Sequence, residues 1–336
     1  MQIASRVNFT WDKVVENKSD RRYLRSLEPI FILASREMSP LRIKSLVKEI
    51  LPQANMVIGI AEEPFIAGFS GQPQFRSLTL DAVNPIAKQV IAAKNGRRVV
   101  ALTYPQAATD DVLRKLKPQK VLVVRGSYQY VFHRRSTWHV LQEMAIPFTY
   151  ISPFNDETEA RSYEAFTANE LANNLPILTM RSSSQKEMLT LAQKAGQFSY
   201  DYSFQTGCVI AERTEEGYRP NIVTFNAVIP FQTYALHYGN SREEHMSPAH
   251  DTNHYDTIHA EMNALVTAAK TNQTFHGKSL FIPLLPCPNC ARTLSQSGLA
   301  EVVYGVEHSD GYALQLFEQC GIKTHKIELK ESKDEQ

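Results

Sequence analysis

The residues best equipped for chemistry are His259-Ala260-Glu261 and, downstream, Pro286-Cys287-Pro288-Asn289-Cys290-Ala291. Cys287 and Cys290 stand one helical turn apart, so both thiolates can reach one ion, and His259 adds an imidazole nitrogen. Three protein ligands leave a tetrahedral position open. That marks a catalytic rather than a structural zinc, because the open position can hold a water whose pKa falls to about 7. Each triplet stands at a predicted helix start, where the partial positive charge of the N-terminus favours thiolate. Pro288 costs nothing there, since its missing N–H would be unpaired anyway. Glu261 can lean over the open position from the helix start and act as proton carrier.

A lone Cys-x-x-Cys is ambiguous between metal site, redox pair and chance, and a lone His-x-Glu is weak. In this order, with Pro286 before the first cysteine, the two match the His-x-Glu and Pro-Cys-x-x-Cys signature of zinc deaminases. Further motifs are Met262-Asn263-Ala264-Leu265, Gln296-Ser297-Gly298-Leu299 before Val302-Val303-Tyr304, and a tail from Leu316 ending in Cys320-Gly321-Ile322. On these residues the stretch from about 185 to 330 resembles the cytidine and deoxycytidylate deaminase superfamily, most of all its deoxycytidylate (dCMP) branch. The resemblance implies one catalytic zinc on His259, Cys287 and Cys290. It implies that Glu261 takes a proton from the attacking water and passes protons to N3 and the departing amine of a cytosine ring. Substrate contacts are implied at Asn226, Ala260 and Leu285, and assembly as a homo-oligomer. Asn226 lies in Thr224-Phe225-Asn226-Ala227, similar to the family's Gly-Tyr-Asn-Gly turn but with alanine for the last glycine. An asparagine capping a strand end is the other reading of that residue.

Five of the ten histidines, His237, His245, His250, His254 and His259, crowd into residues 237–259. Members of the dCMP branch often hold a second, structural zinc from such an insertion; its candidate ligands here are Cys208, His250 and His254. Alternatively, Cys208 is a small buried apolar residue, and the loop, with Arg242, meets a nucleotide phosphate.

The elements that must carry these groups fall into two sets. Before residue 155, strands at Ile30–Ala34, Met56–Ile60, Arg98–Leu102, Lys120–Val124 and Phe148–Ile151 alternate with helices at Leu41–Leu51, Pro85–Lys94, Asp110–Lys117 and Arg135–Met144. Continuous apolar strands separated by helices describe a Rossmann-like α/β domain with a parallel sheet covered on both faces. Its glycines form neither a dinucleotide fingerprint nor a P-loop. Ala61 to Ser77 is a candidate binding loop or a plain crossover. From Ser184 the order becomes α-β-β-α-β-α-β-α-β, a mixed sheet flanked by helices like that of cytidine deaminases. The expected division is 1–155, a connector over 156–180, and a deaminase domain over 181–336.

With 43% hydrophobic and 21% charged residues the chain can fold a sizeable core, and a net charge of +1 gives no global pull toward a polyanion. A free nucleotide therefore suits it better than a nucleic acid. No apolar run is long enough to span a membrane and no leader is recognisable, so a cytoplasmic location is expected. The expected function is hydrolytic deamination of dCMP to dUMP. Deamination of another base or of a nucleic-acid base, and a nucleotide-sensing protein with a retired site, remain open. The sequence specifies neither the ligand of residues 1–155 nor any allosteric nucleotide.

Overall fold

The computed structural model describes residues 5–93, 96–174, 182–248, 251, 253–307 and 311–329. His250, the expected helix boundary at Lys94, and the expected domain boundary near residue 180 lie outside them. The chain divides into two compact units, 1–167 with 233–254, and 168–232 with 255–336. Residues 233–254, inside the stretch read from sequence as the second domain, thus belong to the first unit by their contacts.

In the first unit β1 (Asn8–Thr10), α1 (Trp11–Glu16), α2 (Lys18–Ser26), β2 (Ile30–Ala34), α3 (Pro40–Ile50) and β3 (Met56–Ala61) are followed by α4 (Leu80–Ala92), β4 (Val99–Tyr104), α5 (Thr109–Leu116), β5 (Lys120–Val124), α6 (Ser136–Glu143) and β6 (Phe148–Ile151), and α7 (Glu157–Asn174) begins in this unit and passes into the second after residue 167. The strands form one parallel sheet in the order β1-β4-β3-β2-β5-β6. Side chains alternate across it. Ile32, Ile58 and Ala101 face a core shared with Leu46 of α3 and Ile86 of α4, while Phe31, Val57 and Val100 face one shared with Leu113 of α5 and Leu141 of α6. Burial on both faces is why these strands read as unbroken apolar runs. The Rossmann-like layer is present, with β1, α1 and α2 added at its start. A three-residue strand and a six-residue helix are too short to give such a periodic signal, and in Lys18–Ser26 Leu24 is the one buried apolar residue, with the rest of the helix largely charged and polar. The loop from Ala61 to Ser77 folds back on itself through Ser77 N to Pro64 O at 2.9 Å and the stacked rings of Phe69 and Phe75.

The second unit opens with α8 (Gln185–Gly196), whose N-terminus is fixed by a Ser184–Glu187 capping box. Then come β7 (Gly207–Thr214), β8 (Gly217–Phe225) and the short β9 (Ala227–Val228). The chain next enters the first unit as α9 (Tyr234–His237) and α10 (Ser241–Glu244). It returns with β10 (Thr257–Ile258), α11 (Ala260–Lys270), β11 (Ser279–Leu284), α12 (Pro288–Leu294), β12 (Glu301–Val306), α13 (Tyr312–Gln319) and β13 (Lys323–Lys326). The five-stranded sheet runs β13-β12-β11-β7-β8, parallel from β11 to β13 and antiparallel at β7 and β8, the mixed sheet expected. Pro220 is tolerated in β8 because that strand is an edge and the ladder shifts register at its partner, between Ile210 and Ala211. Gly207 lets α8 lie against β7: a Cβ there would come within 2.1 Å of Ala192 O.

The insertion covers the carboxyl ends of strands in its own unit. Strand order reverses between β2 and β5, the place where open α/β sheets leave a crevice. Arg36, only 1% exposed, closes its floor: its N–H donates to Ser127 Oγ at 3.1 Å and its guanidinium donates to Gly126 O at 3.2 Å. Leu236 of α9 packs on Gly126, Arg125 donates to His237 O at 2.9 Å, and Glu243 accepts from Phe132 N at 2.7 Å. Ser152, just beyond β6, meets His237 Nδ1 at 2.8 Å. The chain's own insertion therefore occupies ground where related topologies place a ligand.

Candidate active site

His259 is the N-cap residue of α11 and Cys287 the N-cap residue of α12, with Pro288 in the first turn. Extended backbone at both caps turns the side chains off the helix ends toward each other. His259 Nδ1 lies 3.6 Å from Cys287 Sγ and 3.4 Å from Cys290 Sγ. All three donor atoms fall within 4.8 Å of one another, and among the described residues this is the group of three that could hold a metal ion. The spacing fits zinc. Bonds of about 2.3 Å to sulfur and 2.0 to 2.1 Å to nitrogen, at tetrahedral angles, put nitrogen and sulfur roughly 3.5 Å apart. Two thiolates and one imidazole form a soft, borderline donor set that suits the same ion.

Electrostatics prepare the thiols. The Cys290 thiol, followed by His259, holds Cys287 down at about 3, while the same Cys287 contact and burial push Cys290 up. The pair thus gives up its first proton readily and its second when a cation arrives. His259 is raised, chiefly by Cys287. Glu261 lies in the first turn of α11 on its buried face, only 3% exposed, and burial raises its carboxyl above the usual range. It shares a hydrogen bond with Cys290, so the carboxyl sits at the donor cluster. Small residues make this placement tolerable, since Ala260, Ala264 and Ala268 complete the buried face and let the helix approach the sheet.

The remaining sequence candidates are placed differently. Asn226 is 3% exposed and spends its side chain on the loop before β7: Oδ1 accepts from Thr206 N at 2.8 Å and Nδ2 donates to Phe204 O at 2.9 Å. Ala260 is fully buried, and its carbonyl accepts from Thr224 Oγ1 at 2.9 Å. Leu285 is a core residue whose N–H donates to Val306 O at 2.9 Å. Cys208, of the expected second zinc set, is likewise in the core, where burial and then the charge of Glu261 push its thiol well up. His254 belongs to the first unit; its Nδ1 meets Asp251, and its ring stacks on His245 at 4.1 Å.

Three residues to which the sequence assigned no role of their own brace the site. Asn263 Nδ2 donates to Phe225 O at 3.0 Å, Thr224 ties β8 to the start of α11, and Asp201 links its own turn to Asn226 and Thr257. Asn263 faces inward one turn after His259, which a helical projection shows; Thr224 and Asp201 act through tertiary contacts that no spacing announces. Tyr255 also sets its ring edge-on to His259 at 5.6 Å.

Comparison with known proteins falls on this same stretch. Residues 182–306 match the family model of the cytidine and deoxycytidylate deaminase zinc-binding region. The deoxycytidylate deaminase of enterobacteria phage T4 is 29% identical over 107 residues, 31% of this chain and 51% of that protein. The mouse deoxycytidylate deaminase is 33% identical over 25% of this chain and 48% of its own length, and ComE operon protein 2 of Bacillus subtilis is 36% identical over 22% and 40%. The chain thus spans about half the length, or less, of these relatives. Among solved structures, dCMP deaminase from cyanophage S-TIM5 in complex with dCMP and dUMP is 21% identical, covering 43% of this chain and 96% of its own, with a TM-score of 0.32.

Proposed function

We propose that this protein is a zinc-dependent hydrolytic deaminase of a cytosine nucleotide, converting dCMP to dUMP and ammonia. The observation that carries the reading is the convergence of His259 Nδ1 with the two thiols at the spacing of a tetrahedral zinc, with buried Glu261 beside them. The sequence match over 182–306 and the names of the relatives support the substrate class.

His259, Cys287 and Cys290 would hold the zinc, which supplies a Lewis acid with one open coordination position and so makes water acidic near neutral pH. Glu261 then does the proton work. Its carboxylate takes one proton from the attacking water as oxygen adds to C4 and delivers it to N3, then takes the remaining proton from that oxygen and delivers it to the exocyclic amine. The C4–N bond breaks, ammonia departs and a uracil ring remains. A raised carboxyl pKa suits a group that must both take and return a proton. Asn226 shapes the loop at 204–206 in the same reading, and the backbone of the buried Ala260 and Leu285 ties the start of α11 to β8 and the end of β11 to β12.

All four cysteines are free of disulfides, as a reducing compartment requires, and no helix of the described residues is long and apolar enough to cross a membrane. Cytoplasmic residence and self-association accompany the proposal.

The test is ammonia release from dCMP, dCTP, deoxycytidine, adenosine and a single-stranded oligonucleotide, with zinc content measured on the same preparation. Turnover of dCMP above the rest is the expected result. Full zinc occupancy with no ammonia from any of them would leave a nucleotide-sensing protein instead.

A further inference from the structure

The two zinc-bearing helices are fixed to the sheet, but the chain reaches His259 through a two-stranded ribbon that belongs to no large sheet. Thr257 pairs with Val228 and Ile258 with Ala227, and Ile229 N closes the ribbon on Asp256 O at 2.9 Å. Such a pair is marginal by itself. Asn226 stands immediately before one strand of the ribbon, and His259 immediately after the other.

One carboxylate lies at the end where those two residues stand. Asp201 Oδ1 accepts from Ser203 N at 2.8 Å and Phe204 N at 3.1 Å, which locks the turn before β7. Its Oδ2 faces outward from that turn, 3.5 Å from Asn226 Nδ2 and 3.4 Å from Thr257 Oγ1. The turn itself is tied to Asn226 through Thr206 N and Phe204 O. Three loops, 199–206, 225–227 and 256–259, therefore meet at one acidic side chain. Asp201 is half-buried, so its charge keeps some contact with water while its oxygens remain directed.

We propose that Asp201 is the positioning residue of the site: through Oδ2 it holds Asn226 and Thr257 together and thereby sets where His259 presents Nδ1. Its hydrogen bonds to Ser203, Phe204, Asn226 and Thr257 run to residues other than the three metal donors. Zinc histidines are commonly oriented by a carboxylate on the ring's other nitrogen; here the carboxylate acts on the backbone that delivers the ring. The inference rests on the reading of His259, Cys287 and Cys290 as a zinc site, and its role in turnover rests on the deaminase reading.

The experiment compares wild type, Asp201→Asn and Asp201→Ala in the full chain. It measures zinc affinity by competition with a chromophoric chelator and the melting temperature of the zinc-free protein. Asparagine keeps an acceptor for Ser203 N and Phe204 N, so the zinc-free melting temperature should stay near wild type. It also turns an amide NH2 toward the Asn226 NH2 donor, so zinc should bind about tenfold more weakly, within the range seen when outer-shell partners of metal ligands are lost. Alanine should lose affinity at least as far and also lower the melting temperature. An asparagine variant that holds zinc like wild type overturns the proposal, as does one whose affinity falls only together with its zinc-free melting temperature. Wild type that binds zinc at these ligands yet releases no ammonia would sink the deaminase reading while this comparison still decides Asp201.

Discussion

Glu261 is buried, raised and set beside the donor atoms, which separates two jobs that a single substitution can distinguish. Glu261→Gln keeps the volume and a hydrogen-bonding atom at Cys290 but cannot carry a proton. Ammonia release should fall by 10²- to 10⁴-fold, the usual worth of a general acid-base group, with zinc stoichiometry unchanged by elemental analysis. Cys290→Ala should act oppositely and abolish zinc retention first, because the remaining imidazole and thiolate offer only two ligands. Both outcomes follow from residue types and spacing, which is why the convergence of His259, Cys287 and Cys290 with Glu261 could be expected from the sequence: a candidate metal site is specified by donor chemistry. Asn226 was only half legible. Its place at a strand end was visible, whereas its bonds to Thr206 and Phe204 depend on a loop twenty residues away in sequence.

At the level of elements, the contact between the insertion and the strand ends can be tested from both sides. Gly126 has φ +73° and its missing Cβ would lie 2.3 Å from Leu236 Cδ2. Gly126→Ala should destabilise the protein by about 2 kcal/mol, through strain at positive φ and overpacking. Leu236→Ala in the same background should restore part of that, giving a coupling measurable by a double-mutant cycle in urea. His237, bonded to Ser152, has its pKa lowered by burial and then by Arg125. A histidine lowered on folding binds protons more readily when unfolded, so the native state keeps its full advantage above the unfolded value of about 6.5 and loses it as pH falls below. Stability against urea should decline below about pH 6.5, and His237→Asn should flatten that decline. None of this was readable from periodicity. Helices of four residues such as α9 and α10 are too short to show a pattern, and polar loop composition does not say which surface a loop covers.

Across the whole chain, the two units have separate cores, one around the six-stranded parallel sheet and the other around the mixed sheet. Zinc bound to the folded second unit alone should stabilise that unit by mass action, so chelation should lower its unfolding midpoint and zinc should restore it. Calorimetry of the full chain with and without chelator measures this; a transition indifferent to zinc would separate the metal from the fold. Apolar strands and helix-spaced runs marked both sheets and most of the helices packed on them, because burial leaves its record in composition. The His259, Cys287 and Cys290 group that could hold a metal, and Glu261 beside it, were marked at the same level, since the proposed chemistry needs those side chains at that spacing. Only the tertiary structure assigned residues 233–254 to the unit they cover, put Cys208 and Leu285 in the core, and brought Asp201 to the ribbon before His259. Each of these depends on which distant segments meet, and chain proximity in sequence carries no information about that.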